Sequence, residues 1–219
     1  MIPLFISAAV CVGIPVASGI YFCFYRNRDG TFFTFLIGAA CFYISQPLIR
    51  IPLINIFVKN NSWFMMLPYT NTVLYYLLLG FTAGLFEEIS RFIGMKLFCK
   101  NRTSWWNGIA FGLGHGGCEA LWLFIVQVIP LLKQQQLGIG LVIGAWERIF
   151  TIFVHIGLSF VVLYGIKVKK VRYLFLAIAL HTIIDFLIII GNVWILEGLI
   201  TLEGIIAIVL VLRCKRNVK

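Results

Sequence analysis

Long apolar runs, separated by short charged or turn-forming stretches, extend along the whole chain. A helix that crosses a bilayer needs about 20 apolar residues, and an outer-membrane strand would instead alternate apolar and polar positions. The runs here do not alternate. They predict an all-α, multi-pass transmembrane helical bundle with about seven spans. The predicted spans are residues 2–24, 31–48, 71–97, 107–132, 138–164, 172–190 and 195–213.

Composition agrees with a membrane protein and excludes a soluble globular domain. Of the 219 residues, 61% are hydrophobic and 12% are charged, against about 25% charged in soluble domains. The spans and their turns use nearly the whole chain, so we expect a single integral-membrane domain over residues 1–219. The connection at 49–70 mixes apolar residues with Trp63 and Tyr69, which predicts an interfacial segment.

Basic residues are distributed unevenly between the two ends of the spans. The net charge of +10 therefore indicates topology and contact with anionic lipid, and we expect no nucleic-acid partner. One side has only Arg50, Lys59 and Lys133. The other side has Arg26, Arg28, Lys96, Lys100, Arg102, Lys167, Lys169, Lys170, Arg172, Arg213, Lys215, Arg216 and Lys219. This bias predicts a cell-membrane protein with its N-terminus outside and its C-terminus in the cytoplasm.

Acidic residues are concentrated inside the predicted spans. An ionised side chain at the bilayer centre costs about 2.5 to 3.5 kcal/mol on insertion scales. Such groups must pair with one another or line a water-filled cavity. Most of the eight acidic residues lie in spans three to six. These are Glu87, Glu88, Glu119, Glu147 and Asp185.

Titratable residues from four spans fall at a similar depth. At 1.5 Å per residue, Glu87, His115, His155 and His181 lie roughly 12 to 20 Å from the predicted cytoplasmic edge. This agreement predicts one shared site, which we expect to open toward the cytoplasmic half of the membrane.

Helical spacing indicates which of these side chains share a face. Residues four positions apart are neighbours on a helix. Such pairs are Glu87 with Arg91, His115 with Glu119, and His181 with Asp185. Each pair is also compatible with a structural role, as a salt bridge or as a carboxylate that orients an imidazole. For Glu147, Arg148 and His155, a buried ion pair and direct chemistry are both open.

Glycines at four-residue spacing occur in the same part of the chain. Small residues at this spacing allow membrane helices to approach closely, so we expect spans three, four and five to pack tightly. The glycines are Gly80 and Gly84, then Gly108, Gly112 and Gly116, then Gly140 and Gly144.

Four motifs, in their order along the chain, resemble a known group of enzymes. They are FEEISR at 86–91, FGLGHGGCEA at 111–120, WERIF at 146–150 and HTIID at 181–185. Together they resemble the glutamic-type intramembrane peptidases, the clan of CAAX prenyl proteases and bacteriocin-processing enzymes, and most closely its YhfC-type branch. The resemblance implies a catalytic core at about residues 71–190.

The resemblance also implies roles for individual residues. Glu87 or Glu88 would activate the attacking water, with His115 positioning it. His181 and Asp185 would help to stabilise the oxyanion, although Asp185 replaces the asparagine that is usual there and more readily orients His181. We expect five further residues to support the site. They are Arg91, Glu119, Glu147, Arg148 and His155.

The sequence therefore predicts an intramembrane endopeptidase that uses glutamate-activated water, without a cofactor, on a hydrophobic, lipidated or membrane-inserted peptide. Zinc is the alternative, disfavoured because the sequence has no HExxH motif. A non-catalytic membrane immunity protein and a proton-coupled transporter are the alternative functions, since both use buried ionisable groups. The expected partners are the peptide substrate and membrane lipid, and the sequence does not define an oligomeric state.

Overall fold

The computed structural model describes residues 1–27, 30–135 and 137–217, with side chains to Lys215, and these ranges are helical apart from short turns. Seven of the helices described are long and apolar enough to span a membrane, which confirms the predicted all-α multi-pass bundle. Arg28 and Lys219, which add to the predicted charge bias, lie outside the described residues. The helices are α1 (Ile2–Tyr25), α2 (Thr31–Asn60), α3 (Ser62–Thr70), α4 (Thr72–Phe98), α5 (Trp105–Lys133), α6 (Gly140–Lys167), α7 (Arg172–Ile190) and α8 (Val193–Asn217).

The second span is longer than its apolar pattern predicted. A wide π-helical turn at Ile44–Arg50 accommodates Pro47, so the helix continues to Asn60, through the first part of the segment that we expected to be interfacial. Asn61 then caps α3, and Asn71 caps α4, each through a side-chain oxygen that accepts a backbone N–H. Arg50 consequently lies in the bundle and not in an outer connection.

Close helix contacts depend on glycine in α4 and α5. A Cβ atom at Gly114 would lie 2.0 Å from the Phe35 carbonyl oxygen of α2, and one at Gly112 would lie 2.4 Å from Cα of Ile156 in α6. Gly84 similarly approaches the backbone of α7. The expectation for Gly140 and Gly144 is wrong, because no described atom lies within 4 Å of an added Cβ at either position.

We expect Gly114→Ala to destabilise the bundle by about 1–3 kcal/mol or more, because the new methyl group overlaps the α2 backbone. Gly144→Ala is the matched control and should have little effect or a stabilising one, since alanine is the better helix former. Unfolding of both variants by denaturant in detergent measures the difference. Equal stability of the two would contradict the packing described here.

Candidate active site

The ionisable side chains predicted to share one depth lie together around a cavity of about 400 Å³. Helices α2, α4, α5, α6, α7 and α8 all contribute to its wall. Apolar residues line most of it, and its polar wall includes Gln46, Arg50, Glu87, Glu119, Glu147, Arg148, His155, His181 and Asp185. His115 lies directly behind Glu87.

Glu87 connects three helices. Its Oε2 atom lies 2.8 Å from Nε2 of His115 on α5, and its Oε1 atom accepts a hydrogen bond from the amide of Gln46 on α2. Both Glu87 and His115 are buried. Because Glu87 also lines the cavity, its carboxylate is positioned to meet a bound substrate.

Glu88 has a different environment from its neighbour. The Arg91 guanidinium donates to both of its oxygens, at 2.9 and 3.2 Å, and Oε1 lies 2.8 Å from Nδ1 of His181. Arg91 also donates to the His155 carbonyl and to the Ser159 hydroxyl on α6. We predicted Glu87 as the partner of Arg91, but the arginine instead joins Glu88, α6 and α7 in a fully buried junction.

Arg91 also contacts the imidazole ring of His155 and determines which of its nitrogens carries the proton. Arg91 lies 3.1 Å from Nδ1 of His155, and a guanidinium can only donate, so Nδ1 accepts and Nε2 carries the proton. That Nε2 atom lies 2.5 Å from Oε2 of Glu119. The predicted contact between His115 and Glu119 is therefore absent from the described hydrogen bonds and salt bridges, because Glu119 faces α6.

Arg148 holds the second group of charges on the cavity wall. It donates to Glu119 at 2.7 Å and also to Glu147. The adjacent residues Glu147 and Arg148 thus form the ion pair that the sequence suggested, and Glu119 from α5 joins it. This network links α5 to α6 beside the cavity.

His181 is oriented mainly by Glu88 and not by Asp185 as we expected. Its Nδ1 atom faces Glu88, while Nε2 lies 3.8 Å from Oδ2 of Asp185 and 3.8 Å from Oε2 of Glu87. The latter two distances exceed hydrogen-bond length. Carboxylates therefore lie near both ring nitrogens, and the Nε2 side of the ring faces the cavity.

Sequence reasoning missed Gln46 and Arg50. Arg50 donates to Oε1 of Gln46 at 3.0 Å, which fixes the amide so that its NH₂ group faces Glu87. Further donation to the Leu79 carbonyl and the Thr82 hydroxyl holds Arg50 against α4. The signal available in the sequence was the four-residue spacing of Gln46 and Arg50.

The site contains a set of side chains that could hold a metal ion. Glu87, His115 and His155 each provide one ligand atom, all within 4.8 Å of one another, and all three residues are buried. Two imidazoles and one carboxylate form the ligand set of several catalytic zinc sites. Nδ1 of His115 has no hydrogen-bond partner among the described residues. In number, type and burial, these side chains fit zinc.

Comparison with known proteins identifies the family. The family model of the YhfC intramembrane metalloprotease matches residues 10–139 and 129–210. The uncharacterized membrane protein YhfC of Bacillus subtilis (strain 168) is 27% identical over an alignment of 236 positions, which covers 94% of this chain and 90% of that protein. No solved structure matches.

These findings correct one expectation and leave another as a prediction. The absence of a cofactor is not supported, because the family is described as a metalloprotease and the described residues include a possible buried metal site. Placement in the wider glutamic-type clan stays a prediction. The matches cover most of the chain, and the protein belongs to the YhfC family of intramembrane proteases.

Proposed function

We propose that this protein is an intramembrane endopeptidase that hydrolyses a bond in a hydrophobic, lipidated or membrane-inserted peptide. The observation that carries the proposal is the contact of Glu87 with His115, 2.8 Å across two helices at the cavity wall. A carboxylate and an imidazole in this arrangement can take a proton from water and return it to a leaving amine. Burial of Glu87 and His115 between helices limits the contact of these two groups with bulk solvent.

The side chains around Glu87 suggest how the reaction proceeds. A water molecule beside Oε2 of Glu87 transfers a proton to that oxygen, and the water oxygen attacks the peptide carbonyl carbon. His115 contacts the same Oε2 atom and holds it in place. The Nε2–H group of His181 faces the same space and stabilises the developing oxyanion. Transfer of the proton to the peptide nitrogen then lets the C–N bond break. Gln46 keeps Oε1 occupied, so that Oε2 is the reacting oxygen.

A metal ion would act at the same place. Zinc, when bound, would be held by Glu87, His115 and His155 and would supply Lewis-acid polarisation of the substrate carbonyl. Glu87 would then be a metal ligand and not the proton acceptor, so Glu87→Gln would lower activity through loss of the ion. Zinc binding would change the contacts of His155 most, because its two ring nitrogens already lie next to Arg91 and Glu119.

We expect the purified protein to contain zinc and to lose peptidase activity when a chelator removes it, because the donor set matches a catalytic site. Metal analysis of the wild type and of His155→Gln measures the content, and the variant should bind less. Activity that persists in fully metal-free protein would contradict a role for zinc. It would leave Glu87 and His115 as the complete water-activating group.

Replacing Gln46 tests the orientation of the base. We expect Gln46→Leu to slow hydrolysis by about 10- to 100-fold, since a hydrogen bond to a charged group contributes about 1.5–3 kcal/mol. Gln127→Leu, on the exposed surface of α5, is the matched control and should retain activity. Initial rates on one peptide decide the matter, and an unchanged rate for Gln46→Leu would remove this residue from the site.

Comparative peptidomics tests the proposed function as a whole. Cells that express the wild type should contain a cleaved membrane peptide that is absent from cells expressing Glu87→Gln. Glu203→Gln, which alters an acidic residue of α8 outside the cavity wall, should retain the product. Identical peptide profiles for all three would contradict the peptidase function. A host-protection phenotype that survives Glu87→Gln would favour the immunity protein instead.

A further inference from the structure

The cavity extends from the site toward one end of the bundle only. That end, here called the α7–α8 end, is where α7 ends at Ile190 and α8 begins at Val193. Glu87 is the last residue that α4 contributes to the wall, and His181 is the first that α7 contributes. Since α4 runs away from the α7–α8 end and α7 runs toward it, both residues lie in the deep part of the cavity, where Leu158 of α6 also lines the wall.

Residues nearer the α7–α8 end form the rest of the wall. Tyr76 and Leu79 come from the first turns of α4, Ile188 from the last turn of α7, and Leu196 from the first turn of α8. These positions extend the wall from Glu87 toward that end, where the side chain of Ile188 is 53% exposed.

A packed core closes the site toward the opposite end. Beyond Glu87, α4 continues with Glu88 and Arg91, which are completely buried. A cluster of buried apolar side chains follows, including Met95, Phe111 and Val162. The structure thus differs from our expectation that the site opens toward the end with the basic connections. The sequence indicated the depth of the site residues in the membrane. It did not indicate which end of the bundle is closed by packed apolar side chains.

Charge indicates which side of the membrane the open end faces. The closed end carries the connections rich in lysine and arginine, whereas the connections described at the α7–α8 end have only Lys59 and Lys133 beside them. Basic connections are retained in the cytoplasm. The open end of the cavity therefore faces away from the cytoplasm.

We propose that the site is reached from the extracytoplasmic side, and that its substrates are peptide segments that are exported or are anchored in the outer leaflet. The identity of the substrates as peptides rests on the proposed function. The access route rests only on the position of the cavity and on the charge bias. The largely apolar wall, with Tyr76, Leu79 and Leu196 near the opening, suits a hydrophobic segment next to the bond that is cleaved.

Cysteine labelling tests the route without any measurement of activity. Ile184→Cys and Leu79→Cys place thiols on the cavity wall. Ile183→Cys and Phe81→Cys are matched controls at the same depths, on side chains that are 55% and 44% exposed on the outer surface of the bundle. A charged, membrane-impermeant maleimide is added to intact cells and to inverted vesicles, and the unsubstituted chain gives the baseline. Lys170→Cys marks the basic end.

The expected result is labelling of Ile184→Cys and Leu79→Cys in intact cells, with both controls at the baseline. Lys170→Cys should react only in inverted vesicles. Labelling of the wall positions only in inverted vesicles would overturn the proposal, and so would no labelling from either side of protein that reacts fully after denaturation. Loss of the proposed peptidase function would appear in peptidomics and not in this pattern, so the two failures are distinguishable.

Discussion

Glu87→Gln is expected to lower the rate of peptide hydrolysis by about 10²- to 10⁴-fold, the usual contribution of a general base, while the chain stays folded. Glutamine has nearly the same shape, but it cannot accept the proton of the attacking water. Glu87 is not part of the arginine junction, and its partners, His115 and Gln46, are not fixed positive charges. The loss should therefore appear in the rate and not in stability.

Initial rates on the peptide identified by peptidomics, together with denaturant unfolding, provide both readouts. Glu203→Gln should behave as the wild type in each, because it lies outside the cavity wall. Hydrolysis by Glu87→Gln at the wild-type rate would exclude Glu87 as the base.

Glu88→Gln is expected to lower the free energy of unfolding by about 3–5 kcal/mol. Its main effect, unlike that of Glu87→Gln, is therefore on stability. Glu88 is the carboxylate that neutralises Arg91, through two hydrogen bonds in a completely buried position. Glutamine leaves the guanidinium buried without an opposite charge. Denaturant unfolding in detergent measures the effect.

A second substitution separates the charge effect from simple loss of packing. Glu88→Gln combined with Arg91→Met removes both charges and should recover part of the lost stability, because an apolar replacement of a buried pair is often tolerated. If Glu88→Gln alone unfolds like the wild type, the buried junction does not have the structural role assigned to it.

The spans were predictable because the apolar signal is local. A run of about 20 residues either buries its backbone hydrogen bonds as a helix or does not enter the membrane. The exception was α2, whose predicted span stopped at residue 48, between Pro47 and Arg50. A π-helical turn absorbs the proline, and neutral acceptors on α4 hold the arginine. Both features depend on neighbouring helices, which the sequence does not show.

The composition of the site was predictable, but its pairings were not. Helix depth placed Glu87, His115, His155 and His181 in one layer, and the structure has them in contact or nearly so. Spacing within one helix predicted partners four residues away, yet Glu87 bonds to α5 and α2. The rotation of each helix relative to its neighbours decides between these partners, and packing across the whole bundle sets that rotation.

A double-mutant cycle on Glu87 and His115 is the most direct test that two side chains from different helices act as one site. Hydrolysis rates are measured for Glu87→Gln, His115→Gln, the double variant and the wild type, all confirmed to be folded. Residues that act as a unit give non-additive losses. The double variant should therefore be no slower than the slower single variant. Losses that multiply in the double variant, or a single variant with the wild-type rate, would contradict the account.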